Sequence, residues 1–289
     1  MKAFSRSLLS MWSRLRRSRL RFNMKGILAG ALILGLLIAS LLASILTPYE
    51  PTKQHLREAL QRPTRAHLLG TDQFGRDILT RILYGLRITF LVGVISCGGS
   101  MVVGVTLGGI AAFWRQFDGV IMRAVDILLA FPSLLLALIL ISVLGTGLVN
   151  VMLALGIHTI PSFARVARGE VLRVASSDYV LSAQAIGASK TYISLRHILP
   201  NILPMVTVLF VLRLAIVVLG AASLGFLGMG VPPPTPDLGA MLAEARDYMR
   251  LAPHLSIFPG IAILLFVFAF NVLGGWLQDR FDPRLKGSR

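Results

Sequence analysis

Stretches without a charged residue recur along this sequence, and their lengths constrain its fold more than any other feature. The first covers residues 27–46, and twenty helical residues at about 1.5 Å each reach about 30 Å, the thickness of the hydrocarbon core of a bilayer. Similar runs cover 88–114, 127–164, 202–227 and 256–277, with a single charge in 202–227. Because 127–164 is long enough to cross twice, with its turn at 145–147, the sequence predicts six membrane-spanning helices.

The composition supports a membrane protein and excludes a soluble enzyme. Hydrophobic residues make up 55% of the chain and charged residues only 15%, whereas an ordinary soluble domain has about 25% charged residues. The single cysteine, Cys97, lies in an apolar run, which excludes an intrachain disulfide and a cysteine-based metal cluster. Most of the formal charge of +16 reflects the orientation of the chain in the membrane. In the leader, the arginines are mixed with leucines, as in a helix that lies on an anionic membrane surface. Nucleic acid is therefore not an expected partner.

The basic residues orient the chain, because Lys and Arg in short flanking segments stay on the cytoplasmic side. The leader carries eight basic residues and no acid, so both termini are expected in the cytoplasm. The basic segment 48–87 is the exception, since it is assigned to the outside. The expected order is a cytoplasmic leader (1–26), a first transmembrane helix (27–47), an extracytoplasmic segment (48–87), a five-helix core (88–277) with a cytoplasmic loop (165–201), and a cytoplasmic tail (278–289).

A search for catalytic chemistry finds none of the usual motifs. The chain has no P-loop, no H-E-x-x-H and no G-x-S-x-G, so it is not expected to bind nucleotide phosphates or to be an enzyme. The five histidines are scattered without metal-ligand spacing, and we predict neither catalytic residues nor a bound metal or cofactor.

Small residues recur every four positions in the second predicted span. Close approach of two helix backbones over such a ridge is a main source of attraction between helices in lipid. The span is therefore expected to pack inside a helix bundle. The ridge consists of Ser96, Ser100, Gly104, Gly108 and Ala112.

The loop at 165–201 is longer than a simple connection between two spans requires. It contains a short predicted helix in water, with Tyr179, Ala183 and Ile186 on one face. Gly187 follows at the position where a helix commonly ends in a left-handed residue. An apolar face outside the membrane needs a cover, so we expect a partner protein there.

Four stretches of the sequence resemble one family. Residues 179–189 and 196–201 resemble the EAA loop of binding-protein-dependent ABC importer permeases. Residues 67–77 and 226–236 are similar to the dipeptide, oligopeptide and nickel branch of that family, specifically its "C" permease subunit.

The resemblance implies an all-α polytopic fold of the type I ABC importer (MetI-like) permease class, in the bacterial inner membrane. It also implies a homologous second permease, two ATPase subunits that hold ATP and Mg, and an extracytoplasmic solute-binding protein. The residues expected to couple to the ATPase are Tyr179, Leu181, Ser182, Ala183, Ile186, Gly187, Ala188 and Ser189. Leu181 replaces the acidic residue that often opens the motif, so packing through Ala183 and Gly187 is expected to carry the docking.

The fifth predicted span has two prolines at its start and one charge inside. A short stretch at 191–199 is expected to end before Pro200 and Pro204 redirect the chain into this span. Arg213 lies about eleven residues into it, where a lipid-facing charge would cost about 2.5–3.5 kcal/mol. We expect Arg213 either to face the permease interface or the transport pathway, or to extend its stem to the cytoplasmic surface.

The expected function is uptake of di- or oligopeptides as one half of an ATP-driven permease. Nickel or another small solute fits the same architecture. An ion-coupled carrier or channel is a different class, but such proteins place ionisable residues in their spans, and these spans are almost free of them. A membrane hydrolase would need a nucleophile and a base on facing helices, and the sequence indicates neither.

Overall fold

A computed structural model describes residues 24–281 and is built almost entirely from helices. Within those residues the β-type pairing is a single isolated bridge between Thr71 and Asp77. Five helices are long and apolar enough to cross a membrane, and a sixth span is obtained if one bent pair of helices counts as one crossing. With the bent pair counted in this way, the predicted all-α, six-span class is confirmed.

Most helices follow one another with short connections, and the longer ones are residues 47–77, which include a 3₁₀ turn at Leu56–Glu58, and residues 227–237. The eleven α-helices of the described part are α1 (Met24–Leu41), α2 (Ala43–Leu46), α3 (Ile78–Phe113), α4 (Arg115–Ala130), α5 (Ser133–Leu144), α6 (Leu148–Ala175), α7 (Asp178–Ala185), α8 (Lys190–Ile193), α9 (Leu199–Phe226), α10 (Leu238–Ala245) and α11 (His254–Phe281).

Helices α3, α6, α9 and α11 form the centre of the bundle. Phe90 of α3 packs edge-on against Phe266 of α11, with ring centroids 4.8 Å apart, in a continuous apolar core that also includes residues of α5, α6 and α9. Helix α1 packs at the edge, where the Arg87 guanidinium donates hydrogen bonds to the carbonyls of Ser40 (3.0 Å) and Leu41 (2.8 Å) near the end of α1. The first span therefore lies beside a core formed by the later helices.

The third predicted span differs from the expectation. Phe131 precedes a proline and adopts an extended backbone, with ψ of 135°, so the helix ends there. Helices α4 and α5 consequently meet at a bend of 96°. Since the twelve residues of α5 cover only about 18 Å, α5 is too short to cross the bilayer alone.

The stretch from residue 190 to 226 also differs from the expectation, because Pro200 and Pro204 do not redirect the chain. Helix α8 continues through a π-helical turn (Ser194–Ile198) into α9, which gives one helical stretch from Lys190 to Phe226. Pro200 lies just after the π-helical turn, and both Pro200 and Pro204 are accommodated inside the continuous helix.

Candidate functional site

Helix α7 is anchored to the membrane helices by one face only. Val180 and Ala183 are buried in an apolar cluster with Phe163 of α6 and with Ile193 and Ile198 of the α8 region. Val180 has no exposed surface. The short helix is therefore a fixed part of the bundle rather than a free loop.

The buried face of α7 is not the face that the sequence predicted. Tyr179 and Ile186 were expected beside Ala183, yet Tyr179 is 47% exposed and Ile186 is 87% exposed, whereas Ala183 is buried. Ala183 therefore faces the bundle. It is not available for the docking contact that we expected it to make from the sequence. The outward face instead presents Leu181 and the hydroxyl-bearing Ser182, both exposed.

Gly187 ends α7 in the left-handed conformation that the sequence predicted, with φ of +87°. Its N–H donates to the carbonyl of Gln184 (3.0 Å), and the N–H of Ala188 donates to the carbonyl of Ala183 (3.0 Å). This pair of hydrogen bonds is a Schellman motif. A Cβ added at Gly187 would meet nothing within 4 Å inside the chain, so the position is open towards the solvent.

The exposed apolar surface extends beyond α7 onto the next helix. The hydroxyl of Ser189 accepts a hydrogen bond from the N–H of Tyr192 (3.2 Å) and thereby caps α8. Tyr192 and Leu195 are exposed, like Ile186. We define the coupling surface as the exposed side chains of Tyr179, Leu181, Ile186, Tyr192 and Leu195.

Two ion pairs attach α4 to α6 near the same end of the bundle. The Arg168 guanidinium donates to both carboxylate oxygens of Asp118, at 2.5 and 2.6 Å, and Arg165 pairs with Asp126. A bidentate arginine pair fixes orientation as well as distance. Helix α4 is therefore held against the part of α6 that leads into α7.

The predicted ridge of small residues on α3 faces α6. The hydroxyl of Ser96 donates to the carbonyl of Met152 (2.9 Å), and that of Ser100 donates to the carbonyl of Gly156 (2.7 Å). A Cβ at Gly104 would lie 2.5 Å from the Phe163 side chain. At Gly108 it would overlap the Ala164 carbonyl oxygen, while Ala112 is partly buried at the far end. Side chains larger than these would separate the two helices.

Two adjoining open cavities, of about 360 and 160 Å³, lie between α5 and α9, and α6 lines the smaller one. The larger one also touches α10 and α11 and is lined by apolar side chains such as Phe226, whereas the smaller one includes His158 of α6. Leu134, Leu219 and Ser223 contribute to both cavities, so the two form one groove. We call it the α5–α9 groove.

Arg213 is half-buried in the middle of α9. It lies fourteen residues after the start of α9, about 21 Å along the axis, and one turn before Ile216 of the α5–α9 groove. The charge therefore lies among neighbouring helices beside the groove.

At the opposite end of the bundle, a group of buried charges joins the segment before α3 to α10. The Arg76 guanidinium donates to Asp72 (2.5 Å) and to Glu244 (2.7 Å), and Gln73 donates to Glu244 (3.1 Å). Arg81 is 2% exposed and lies 3.6 Å from the carboxylates of both Asp72 and Glu244. We call this group the ionic cluster; the sequence singled out 67–77 for its family resemblance and predicted no charge cluster there.

Two aspartates near the ionic cluster begin helices. Asp77 accepts a hydrogen bond from the N–H of Thr80 (2.8 Å) at the start of α3, and its other oxygen lies 2.9 Å from Nδ1 of His67. Asp237 accepts from the N–H of Ala240 (2.8 Å) at the start of α10. Burial raises the pKa of Asp237 above its ordinary value, although the backbone N–H groups and Arg81 oppose that shift. Within residues 24–281, no three His, Cys, Asp or Glu side chains form a group that could hold a metal.

This helix bundle matches one known family of membrane proteins. The family described as "Binding-protein-dependent transport system inner membrane component" matches residues 104–287, well over half of the chain. The chain belongs to this family. It is therefore the permease subunit of an ABC importer in the inner membrane, of the peptide-type branch, and a permease is not itself catalytic.

Individual relatives are similar to this permease over almost its whole length. The glutathione transport system permease protein GsiD of Pectobacterium atrosepticum is 42% identical over 283 residues, which cover 97% of this permease and 94% of the relative. GsiD of Salmonella typhimurium is 41% identical over 278 residues, which cover 96% and 90%. A solved inward-facing structure of the MetNI methionine ABC transporter has a TM-score of 0.57 at 17% identity, covering 70% of this permease and 96% of that chain. That likeness confirms the MetI-like fold.

The family match includes some of the surfaces described above. Residues 104–287 begin within the small-residue ridge of α3 and include the coupling surface and the helices of the α5–α9 groove. The members of the ionic cluster that precede α3 lie before the matched range, whereas the GsiD relatives match the permease over almost its whole length.

Proposed function

We propose that this permease pairs with a homologous permease, and that the α5–α9 groove contributes to the translocation path between them. The groove is lined by α5, α6 and α9, and it is open at the surface of the isolated chain. Arg213 supports this role, because a charge half-buried in the middle of a span marks a path or an interface more often than a lipid contact.

The coupling surface is the observation that carries the proposal. A short helix outside the membrane is anchored through Val180 and Ala183, while Ile186 on its outward side is 87% exposed. Exposed apolar patches on an otherwise fixed element mark protein contact sites. We propose that two separate ATPase subunits, which bind ATP and Mg, contact the permease dimer through this surface and its counterpart on the second permease.

The two ends of the permease then have different partners. Both termini and the coupling surface lie in the cytoplasm, and residues 48–87 lie outside, where an extracytoplasmic solute-binding protein delivers substrate. Closure of the ATPase dimer on ATP moves α7, and the bundle alternates between inward-open and outward-open arrangements. In this mechanism the permease supplies the two-state element and the nucleotide shifts its equilibrium.

Short peptides are the proposed substrate class, and glutathione is the first candidate. The support is the 42% identity to a glutathione permease over nearly the whole chain. Nickel or another small solute remains the alternative within the same architecture, and selectivity would then depend on the solute-binding protein.

The test is purification of the tagged permease from its native membrane in mild detergent, followed by uptake assays in sealed vesicles. A second permease and ATPase subunits should co-purify, and glutathione uptake should require ATP and persist without an ion gradient. Uptake that follows an imposed ion gradient without ATP would identify an ion-coupled carrier. ATP-dependent uptake of nickel but not of peptides would retain the architecture and reject the substrate.

A further inference from the structure

A surface cleft of about 390 Å³ lies where the segment before α3 meets the loop between α10 and α11. One wall is formed by Arg62 and Pro63, which lie far in sequence from the remaining walls. The other residues around the cleft are Arg250, Leu251, Pro253, His254, Ile257 and Phe258. We call it the outer cleft, and the ionic cluster does not contribute to it.

The outer cleft carries positive charge that the described part of the chain does not neutralise. Arg62 and Arg250 are both exposed, and neither has a carboxylate partner within residues 24–281, whereas Arg76 and Arg81 nearby each lie beside two carboxylates. His254 is only 7% exposed, and its Nε2 atom has no hydrogen-bond partner within the same range. Two arginines from distant segments therefore line one cleft, and neither forms a salt bridge within residues 24–281.

The outer cleft lies at the level of a membrane boundary. Residues 256–277 of α11 carry no charge, and these 22 residues cover about 33 Å, so the hydrocarbon core begins close to Ser256. The cleft is lined by residues that bracket this position, from Arg250 to Phe258. Its arginines consequently lie at headgroup depth.

An apolar stripe continues from the outer cleft along α11 into the membrane. The stripe consists of Ile257, Ile261, Leu264 and Phe268, which are spaced at i, i+4, i+7 and i+11 and are all exposed. Residues at this spacing share one helix face. A ligand bound in the cleft would therefore have its polar part beside the arginines and an uninterrupted hydrocarbon surface below.

We propose that the outer cleft binds the phosphate of an anionic phospholipid, whose acyl chains lie along the α11 stripe. Arginine guanidinium groups bind phosphate oxygens through paired, charge-assisted hydrogen bonds, and basic residues at the bilayer surface attract anionic lipids. The continuity of the cleft with the stripe favours lipid over an acidic protein surface, because a soluble partner would leave the stripe unused. This inference depends on the membrane position of α11 and not on the transported substrate.

The test is native mass spectrometry of the full-length permease in detergent, titrated with phosphatidylglycerol and separately with phosphatidylcholine. We expect one saturable phosphatidylglycerol site. The double variant Arg62→Gln/Arg250→Gln should weaken it about 30-fold, which corresponds to about 1 kcal/mol for each arginine. Phosphatidylcholine should bind weakly and equally to both proteins.

A second double variant tests whether the loss of binding is specific to the outer cleft. Arg57→Gln/Arg65→Gln removes the same charge from exposed positions of the same segment that do not line the cleft, and should leave the site intact. Equal loss in both double variants would overturn the proposal. So would inorganic phosphate that competes as strongly as lipid phosphate, or polyglutamate that binds through Arg62 and Arg250 while phosphatidylglycerol does not.

Discussion

A glycine at position 187 has two possible physical reasons: the left-handed backbone and the close approach of a partner. A single substitution would not distinguish them. The φ of +87° at this position costs most L-residues about 1–2 kcal/mol, which changes the population of the last turn of α7 roughly 5- to 30-fold. Inside this chain an added Cβ meets nothing within 4 Å, so we expect the main steric effect of a substitution to come from a partner. Gly187→Asn tolerates the left-handed backbone but adds bulk, Gly187→Ala adds little bulk but strains the backbone, and Gly187→Val does both.

If an ATPase approaches Gly187 closely, Asn and Val should each abolish ATPase retention in mild detergent and ATP-driven uptake in vesicles. Ala should give an intermediate loss, because its methyl group is small and its strain is local. Insertion of the permease and pairing with the second permease should be unchanged in all three variants. Normal uptake by Gly187→Asn, with the ATPase still bound, would refute the close-approach argument and leave Gly187 as a helix terminator.

Gly228 provides a control for backbone strain away from the coupling surface. Its φ is +77°, it ends α9 with the same pair of hydrogen bonds, and an added Cβ there also meets nothing within 4 Å. Gly228→Val should therefore retain the ATPase. Loss of the ATPase in this variant as well would show that strain alone disrupts the assembly.

Three further predictions address the orientation, the pathway and the buried acid. In a background without Cys97, single cysteines at Gln61 and Ser189 should react with an impermeant thiol reagent from outside and inside respectively; labelling from one side would contradict the orientation. Arg213→Leu should reduce uptake while leaving the amount of permease in the membrane nearly unchanged, and normal uptake would assign the charge to the cytoplasmic surface. Because burial raises the pKa of Asp237, its contribution to stability is greatest below its ordinary pKa and declines as pH rises through the folded-state value. Asp237→Asn, which retains a capping oxygen, should raise the thermal unfolding temperature at neutral pH, and this gain should shrink towards pH 4; a gain that is constant with pH would contradict the charge argument.

Charge-free runs predicted the number of crossings well because the bilayer imposes their length. The same criterion failed within 127–164, where hydropathy is uniform but the proline after Phe131 ends the helix. Helix α7 shows a second limit, since Tyr179, Ala183 and Ile186 do share a helix face by spacing. Which flank of that face is buried depends on where α6 and α8 lie, and Val180 proved to be the deeper residue.

The ionic cluster was beyond sequence reasoning for a different reason. Arg76 and Glu244 are 168 residues apart, and only the packing of α10 beside the start of α3 brings them together. A single sequence shows charged residues at both places without pairing them. The left-handed backbone at Gly187 was predictable, by contrast, because helix termination depends on a few adjacent residues.

The helical stretch from Lys190 to Phe226 is not equally stiff along its length. Pro200 and Pro204 both lack an N–H, and the π-helical turn at Ser194–Ile198 shifts the register of the hydrogen bonds just before them. Helices bend where backbone hydrogen bonds are missing or shifted. We therefore expect bending to be easiest between Ser194 and Pro204, so that the end of the helix at Lys190 tilts relative to the part from Arg213 onward.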